Sequence, residues 1–270
     1  MRMDFRIPII VLVFPTAGST AHLSQSAERA FQTYVASVEM RLAGQHSSPD
    51  TYVAEMGDTR SLIEGAVHVE PINGGSWRVS GGLMHHWRAA ALIRGATPES
   101  MLALLRDYGS LSRYYAPEVV SSRALRDQGE AAVITMRFKK RQVLTVVMDA
   151  EFEIRSGLDG ANRGYSVSRS THIWQVDRRD SADERRLPEG TGDGFLWRLN
   201  SYWSFEKIPQ GLLIECEAVS LTRDAPAGLG WLIMPIVETL PRASLEFTLR
   251  ATKKALLENA RRRHDVDRAN

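Results

Sequence analysis

Apolar and polar residues alternate with a period of two over most of the second half of the chain. The clearest run is 143–154, where Leu144, Val146, Met148, Ala150, Phe152 and Ile154 alternate with Thr145, Asp149, Glu151 and Glu153. A strand with one buried and one wet face has this pattern. Residues 131–139 repeat it, with Ile134, Met136 and Phe138 opposite Thr135 and Arg137. Further strands are expected at 119–127, 165–176, 195–205 and 212–222, with a charged loop over 177–194 and a turn at Pro209-Gln210-Gly211. The spacings leave no room for crossover helices after residue 119, so these strands form an antiparallel meander. An earlier strand is expected over 84–93, ended by Gly95.

Elsewhere the period is helical. Over 227–263, Leu232, Ile233, Ile236, Val237, Leu240, Leu245, Leu249, Leu256 and Leu257 form a broad apolar stripe, while Arg242, Glu246, Arg250, Lys253 and Lys254 lie mostly off it. Pro235 and Pro241 interrupt this pattern, each removing a backbone donor, so a kinked or two-piece helix is expected, straightest from Ser244 onward. Ala27, Ala30, Phe31, Tyr34, Val38 and Leu42 predict another helix over 24–42, with Gly44 as its stop. Thr97 caps a short helix with Pro98 at its first position, and a second short helix or turn spans 111–115. Residues 45–59 read as loop, 63–69 alternate briefly, and Asn73-Gly74-Gly75 signals a turn.

The expected organisation is α+β, a curved antiparallel sheet gripping a long C-terminal helix. Residues 1–21 read as a leader, 22–81 as an N-terminal extension, 82–263 as the main domain and 264–270 as a polar tail. In the leader, Arg2 and Arg6 flank the start of an apolar run over 7–14, and Ser19-Thr20-Ala21 has the small-x-small pattern of a signal-peptidase site. Export to the periplasm, with cleavage near Ala21, is the expectation. The run is too short to span a bilayer. With 34 basic and 32 acidic residues, the chain has a net charge of only +2, which gives no footprint for nucleic acid. The basic run Arg261-Arg262-Arg263 suits a helix C-terminus, with a peripheral lipid-headgroup contact as the alternative. A single cysteine, Cys216, excludes an intrachain disulfide and a cysteine zinc site. Neither a metal nor a cofactor is expected, and oligomeric state is not legible.

Several local sequences carry a resemblance. They are His85-His86-Trp87 in the first main strand, 196–203 (LWRLNSYW) and 214–218 (IECEA) in the last two, and Leu229-Gly230-Trp231-Leu232 leading through Pro235 to Leu240-Pro241-Arg242. With the order strand, two short helices, meander and long helix, the chain resembles the START-like superfamily, also called SRPBCC or Bet v 1-like, over residues 82–263. The resemblance implies a helix-grip fold with an apolar pocket between sheet and helix, and a hydrophobic small-molecule partner such as a lipid, quinone or polyketide. A minority of that superfamily are cyclases or dehydratases.

A pocket of this kind is lined by apolar side chains, and Trp87, Met136, Phe138, Met148, Phe152, Trp197, Trp203, Trp231, Ile236 and Leu240 are the candidate ligand-binding residues. Trp197 and Trp203 are placed inside by setting their alternating set against Arg198, Asn200 and Tyr202. His85 and His86 point to opposite faces of a strand, so they make a poor metal pair. His85 is the weak candidate for acid–base catalysis, against the alternative of a hydrogen-bonded core histidine. The carboxylates Asp149, Glu151 and Glu153, and likewise Glu215 and Glu217, share a strand face. They are expected on a solvated outer surface paired with Arg137 and Arg169, with acid–base or calcium chemistry as the alternative. No nucleophile–base–acid constellation is recognisable. Three roles stay open: a ligand carrier, an enzyme using His85, and an interaction module built on the N-terminal helix.

Overall fold

The computed structural model describes residues 23–48, 51–54, 59–141, 145–192, 196–223 and 230–269. The leader with its cleavage site, and Leu144, lie outside these residues, as do the side chains of 230–238, Trp231 and Ile236 included.

The chain forms α1 (Gln25–Ser47), α2 (Thr59–Ile63), β1 (Val67–Val79), β2 (Gly82–Ile93), α3 (Pro98–Arg106), α4 (Leu111–Tyr114), β3 (Val119–Asp127), β4 (Ala131–Arg141), β5 (Thr145–Asp159), β6 (Arg163–Asp177), β7 (Arg185–Arg186), β8 (Leu196–Ile208), β9 (Gly211–Thr222) and α5 (Gly230–Ala269). One antiparallel sheet runs in the order β1-β2-β9-β8-β6-β5-β4-β3, with the short β7 beside β6. The sheet is curved and α5 lies in its concave side. This is the helix-grip arrangement the resemblance implies, with one long extra strand, the two-residue β7 inside the expected charged loop, and an extra helix, α2.

The long extra strand is β1. Its first half pairs with β2 from Val67 opposite Ala91 to Pro71 opposite Trp87, and its second half resumes at Ser76 opposite His85. The residues between form a bulge in which Asn73, Gly74 and Gly75 all take positive φ. Gly75 has a further reason to lack a side chain, since a Cβ there would sit 2.5 Å from the Trp87 ring. The expected turn at 73–75 is therefore a kink within one long strand.

The helices are capped as their sequences require. The Ser24 hydroxyl accepts the Ala27 N–H at 3.1 Å to start α1, and Thr97 and Ser100 form a reciprocal capping box on α3. Helix α1 runs through Gly44 to Ser47, one turn past its expected stop. Helix α5 is a single 40-residue element through both prolines, not two pieces.

Three apolar clusters hold the layers together. In the first, Leu245, Leu249 and Leu256 of α5 meet Met101 and Leu104 of α3 and Ala89, Ala91, Ile93, Phe205 and Ile214 on the concave face. The second lies farther along the same face, around Ile134, Ala150, Phe152, Tyr108 and Tyr115. The third lies on the convex face, where Ala27, Phe31, Val35, Val38 and Leu42 of α1 cover Met84, Trp197, Tyr202, Val219 and Leu221. Both faces of the sheet's centre are thus buried.

Candidate functional site

The concave face is sealed at one end and looser at the other. Under the C-terminal half of α5, Leu249, Leu256, Phe205 and Ile214 are fully buried. Toward β4 and β5, Met136, Phe138, Val146, Leu196, Leu199, Phe247 and Ala251 pack on the same face but remain half-buried. These side chains face inward without being fully covered by protein. Phe138 and Phe152 pack edge to face at 6.1 Å within this region. Tyr115, just after α4, exchanges a 2.9 Å hydrogen bond with Thr252, tying the short helices to α5 beside the lining.

Every buried titratable group described on this face is held in its neutral form. Burial pushes the Tyr115 hydroxyl up to about 12, even though its bond to Thr252 pulls the other way. Burial also raises the Cys216 thiol and the Tyr108 hydroxyl above their ordinary values. His85 is brought down to about 4 by burial alone. Its Nδ1 pairs with the Ser76 hydroxyl at 2.7 Å and its Nε2 with the Thr222 hydroxyl at 2.8 Å. Both ring nitrogens are therefore occupied, and the side chain is fully buried. A proton-transfer role for His85 has no support in this geometry.

The sequence-selected residues distribute unevenly. Met136, Phe138, Met148, Phe152 and Trp203 lie on the concave face, and Leu240 is half-buried on α5. Trp87 also lies there, nearer the β1 edge, with its indole N–H buried and without a hydrogen-bond partner among the described residues. Trp197 must be corrected. A register shift in β8 between Leu196 and Arg198 breaks the alternation, so Leu196 and Leu199 face inward while Trp197 turns to the convex side beneath α1. Phe247 and Leu199 are lining residues that the sequence reading did not select; Leu199 lay in the set of alternating positions chosen as inner.

A second correction concerns Glu215 and Glu217, expected on a solvated surface. Both are fully buried, because α1 and the segment after it cover the convex face. The Glu217 carboxylate accepts from Arg41 of α1 at 2.5 Å and from His86 Nε2 at 2.8 Å, with Arg88 Nη1 at 3.9 Å. His86 Nδ1 in turn pairs with the Tyr34 hydroxyl at 2.8 Å, which accepts from Asn73 at 2.8 Å. Arg88 also pairs with Glu70 of β1. Burial opposes ionisation of Glu217, but His86 and Arg41 outweigh it and hold the carboxyl below its usual range. Glu215 has weaker support: the Ala54 N–H donates to it at 2.8 Å, and burial together with the neighbouring Glu217 charge raises it to about 7. Asp149 pairs with Arg137 as expected but is itself buried and not solvated, and Arg169 bonds Glu39 of α1 at 2.6 Å in place of a strand carboxylate. This face is a stitched interlayer, with no open acid–base pair.

No family model matches the chain, and no curated protein matches it in sequence. Solved structures with a similar fold include a STAR-related lipid transfer protein fragment from Xanthomonas axonopodis, 16% identical, covering 70% of this chain and 98% of that one with a TM-score of 0.42. The Zhui aromatase/cyclase from Streptomyces sp. R1128 is 12% identical over 67% of this chain and 95% of that one, with a TM-score of 0.45. A START superfamily protein from Mycobacterium smegmatis is 12% identical over 66% of this chain and 99% of that one, with a TM-score of 0.41. The chain's own strand order and its enclosed terminal helix are those of the START-like, helix-grip fold.

Proposed function

We propose that this protein is a carrier or sensor that holds a hydrophobic small molecule, of lipid, quinone or polyketide-like character, between the concave face of the sheet and α5. The observation that carries this reading is the row of inward-facing, half-buried apolar side chains at Met136, Phe138, Leu199 and Phe247, on a face whose buried titratable groups are all neutral. Such a lining rewards an uncharged apolar guest and offers no proton donor or acceptor poised near neutral pH. The N-terminal run from Arg2 to Ala21 supports export, with cleavage near Ala21 and residence in the periplasm.

Native mass spectrometry with solvent extraction, on protein purified from its own compartment, tests the reading. A stoichiometric apolar molecule is expected. Replacing Leu199 with Trp fills the lining and should displace that molecule while leaving the melting temperature nearly unchanged. A protein that carries nothing and binds no apolar dye, with Leu199→Trp behaving as wild type, would falsify the carrier role.

A further inference from the structure

The outer face of the sheet carries a polar cavity of about 210 Å³ toward its β3 edge, with Met136 of the apolar lining also reaching its wall. Ser121 and Arg123 of β3, Thr135 and Arg137 of β4, Asp149 of β5 and Arg186 of β7 surround it. Asp149 fixes two of the arginines. Arg137 donates to it through Nε at 2.7 Å and Nη2 at 3.1 Å, and Arg186 donates through Nε at 2.8 Å. Arg137 is further held by Glu184 at 2.8 Å, and the Arg186 guanidinium lies 4.5 Å over the Trp174 ring. Both guanidiniums are thus immobilised before any ligand arrives, which removes an ordering cost from binding.

The charges do not cancel. Within the cavity wall Arg123, Arg137 and Arg186 meet the single carboxylate Asp149, while Glu184 pairs with Arg137 and Glu151 lies outside the wall, opposite Thr135 on the same face. Among the described residues, Arg123 makes no ion pair, and the two Nη groups of Arg186 make no hydrogen bond. The burial of Asp149 is already answered by two cations, and Glu184 is drawn off by Arg137. The Ser121 and Thr135 hydroxyls add neutral donors.

We propose that this cavity binds a phosphate group, either free phosphate or the phosphomonoester of a small molecule, gripped between Arg123 and Arg186. The guanidinium fork matches phosphate oxygens in geometry and charge. The volume accommodates a phosphate together with an ester substituent or a few waters. Met136 borders both this cavity and the apolar lining, but the grip rests on Arg123 and Arg186 and does not depend on the carrier reading.

The test is titration of the full chain with inorganic phosphate and, separately, with glycerol 3-phosphate, followed by NMR shifts or calorimetry at constant ionic strength in chloride. Saturable one-site binding is expected, weakened about tenfold or more by Arg123→Gln and by Arg186→Gln, the scale of losing one charge-assisted hydrogen bond. Arg123 is exposed and unpaired, so Arg123→Gln should fold and melt as wild type, which separates lost binding from lost structure. Tighter glycerol phosphate identifies an ester ligand, and tighter phosphate identifies the free ion. Absence of saturation by either, equal affinity in both variants, or equal competition by chloride overturns the proposal.

Discussion

The two faces of this sheet solve burial in opposite ways. On the concave side, His85, Tyr115 and Cys216 are neutralised by burial, and α5 meets the sheet through leucines. On the convex side, α1 meets the same strands through apolar residues at one end and a chain of charges at the other: Arg41, Glu217, His86 and Arg88. Alternate residues of β9 supply both arrangements, with Cys216 pointing one way and Glu215 and Glu217 the other. A buried ion network adds little net stability but is costly to break, and its value lies in fixing one arrangement. An apolar lining is indifferent to the exact shape of what it holds. The difference teaches that α1 is fixed in place partly by charge, while the concave face is held to α5 by apolar contact.

The largest expected effects come from separating the layers. Phe31→Ala removes the most buried large side chain of α1 and should cost about 3–5 kcal/mol in denaturant unfolding. The loss should fall on the convex layer, so retention of an apolar ligand is expected to survive at temperatures where the variant is folded. If ligand is lost in proportion to stability, the two faces are not separable. Glu217→Ala strands Arg41 and His86 without their shared carboxylate and should also cost about 3–5 kcal/mol. Glu217→Met, with bulk but no charge, should cost clearly less only if Arg41 swings out to solvent, which its half-exposed position permits.

Next come two opposed pH effects. His85 titrates near 4 when folded and near 6.5 otherwise, so the unfolded chain binds more protons between those values, and stability falls as pH drops from 6.5 toward 4. Glu215 titrates near 7 when folded and near 4.5 otherwise, so the folded chain binds more protons there, and stability falls as pH rises from 4.5 toward 7. Each slope spans on the order of 3 kcal/mol. The two windows overlap between pH 4.5 and 6.5, where the slopes cancel, so Glu215→Gln should unmask a rise in stability from pH 4 to 6.5 and His85→Gln a fall from pH 4.5 to 7. Urea melts across pH 4 to 8 decide it; variants whose curves stay as flat as wild type would break the comparison. The smallest effect belongs to a helix end remote from the charge network: Thr97→Ala, which removes the α3 cap and the hydroxyl that holds the Glu99 carboxyl below its usual range, should cost about 1 kcal/mol near neutral pH.

The strands were legible because the concave face demands an apolar residue at every second position, and β4 from Ala132 to Phe138, β5 from Val146 to Ile154 and β9 from Leu212 to Ala218 obey it. Trp197 was misplaced because one bulge inverts all positions before it, and nothing in Leu196-Trp197-Arg198 marks where the extra residue sits. Glu215 and Glu217 read as surface because a carboxylate on the polar face of a strand is ordinarily wet. Their burial depends on α1, whose own stripe was visible but whose docking partner was not. Arg41 lies on α1 and Glu217 on β9, and no local pattern links residues so far apart. Strand β1 was seen only in part, since Asn73-Gly74-Gly75 has the composition of a turn and here kinks a strand. Helix α5 was read as kinked or in two pieces because each proline removes one internal bond, yet the remaining bonds and the stripe carry one helix past both.

The position of β2 has a consequence for how the molecule comes into being. It pairs along its whole length with β9, so Leu83 lies opposite Thr222. The sheet's first main strand must wait for almost the last before it has a partner on that side. Helix α1, made earlier still, covers Val219 and Leu221 of that same late strand. Long-range closure of this kind is slow, and hairpins alone cannot complete it. During synthesis the early third of the chain is left with its apolar stripes unmated, a state open to chaperones. Assembly then falls to the final strand, and the molecule closes late, around its own ends.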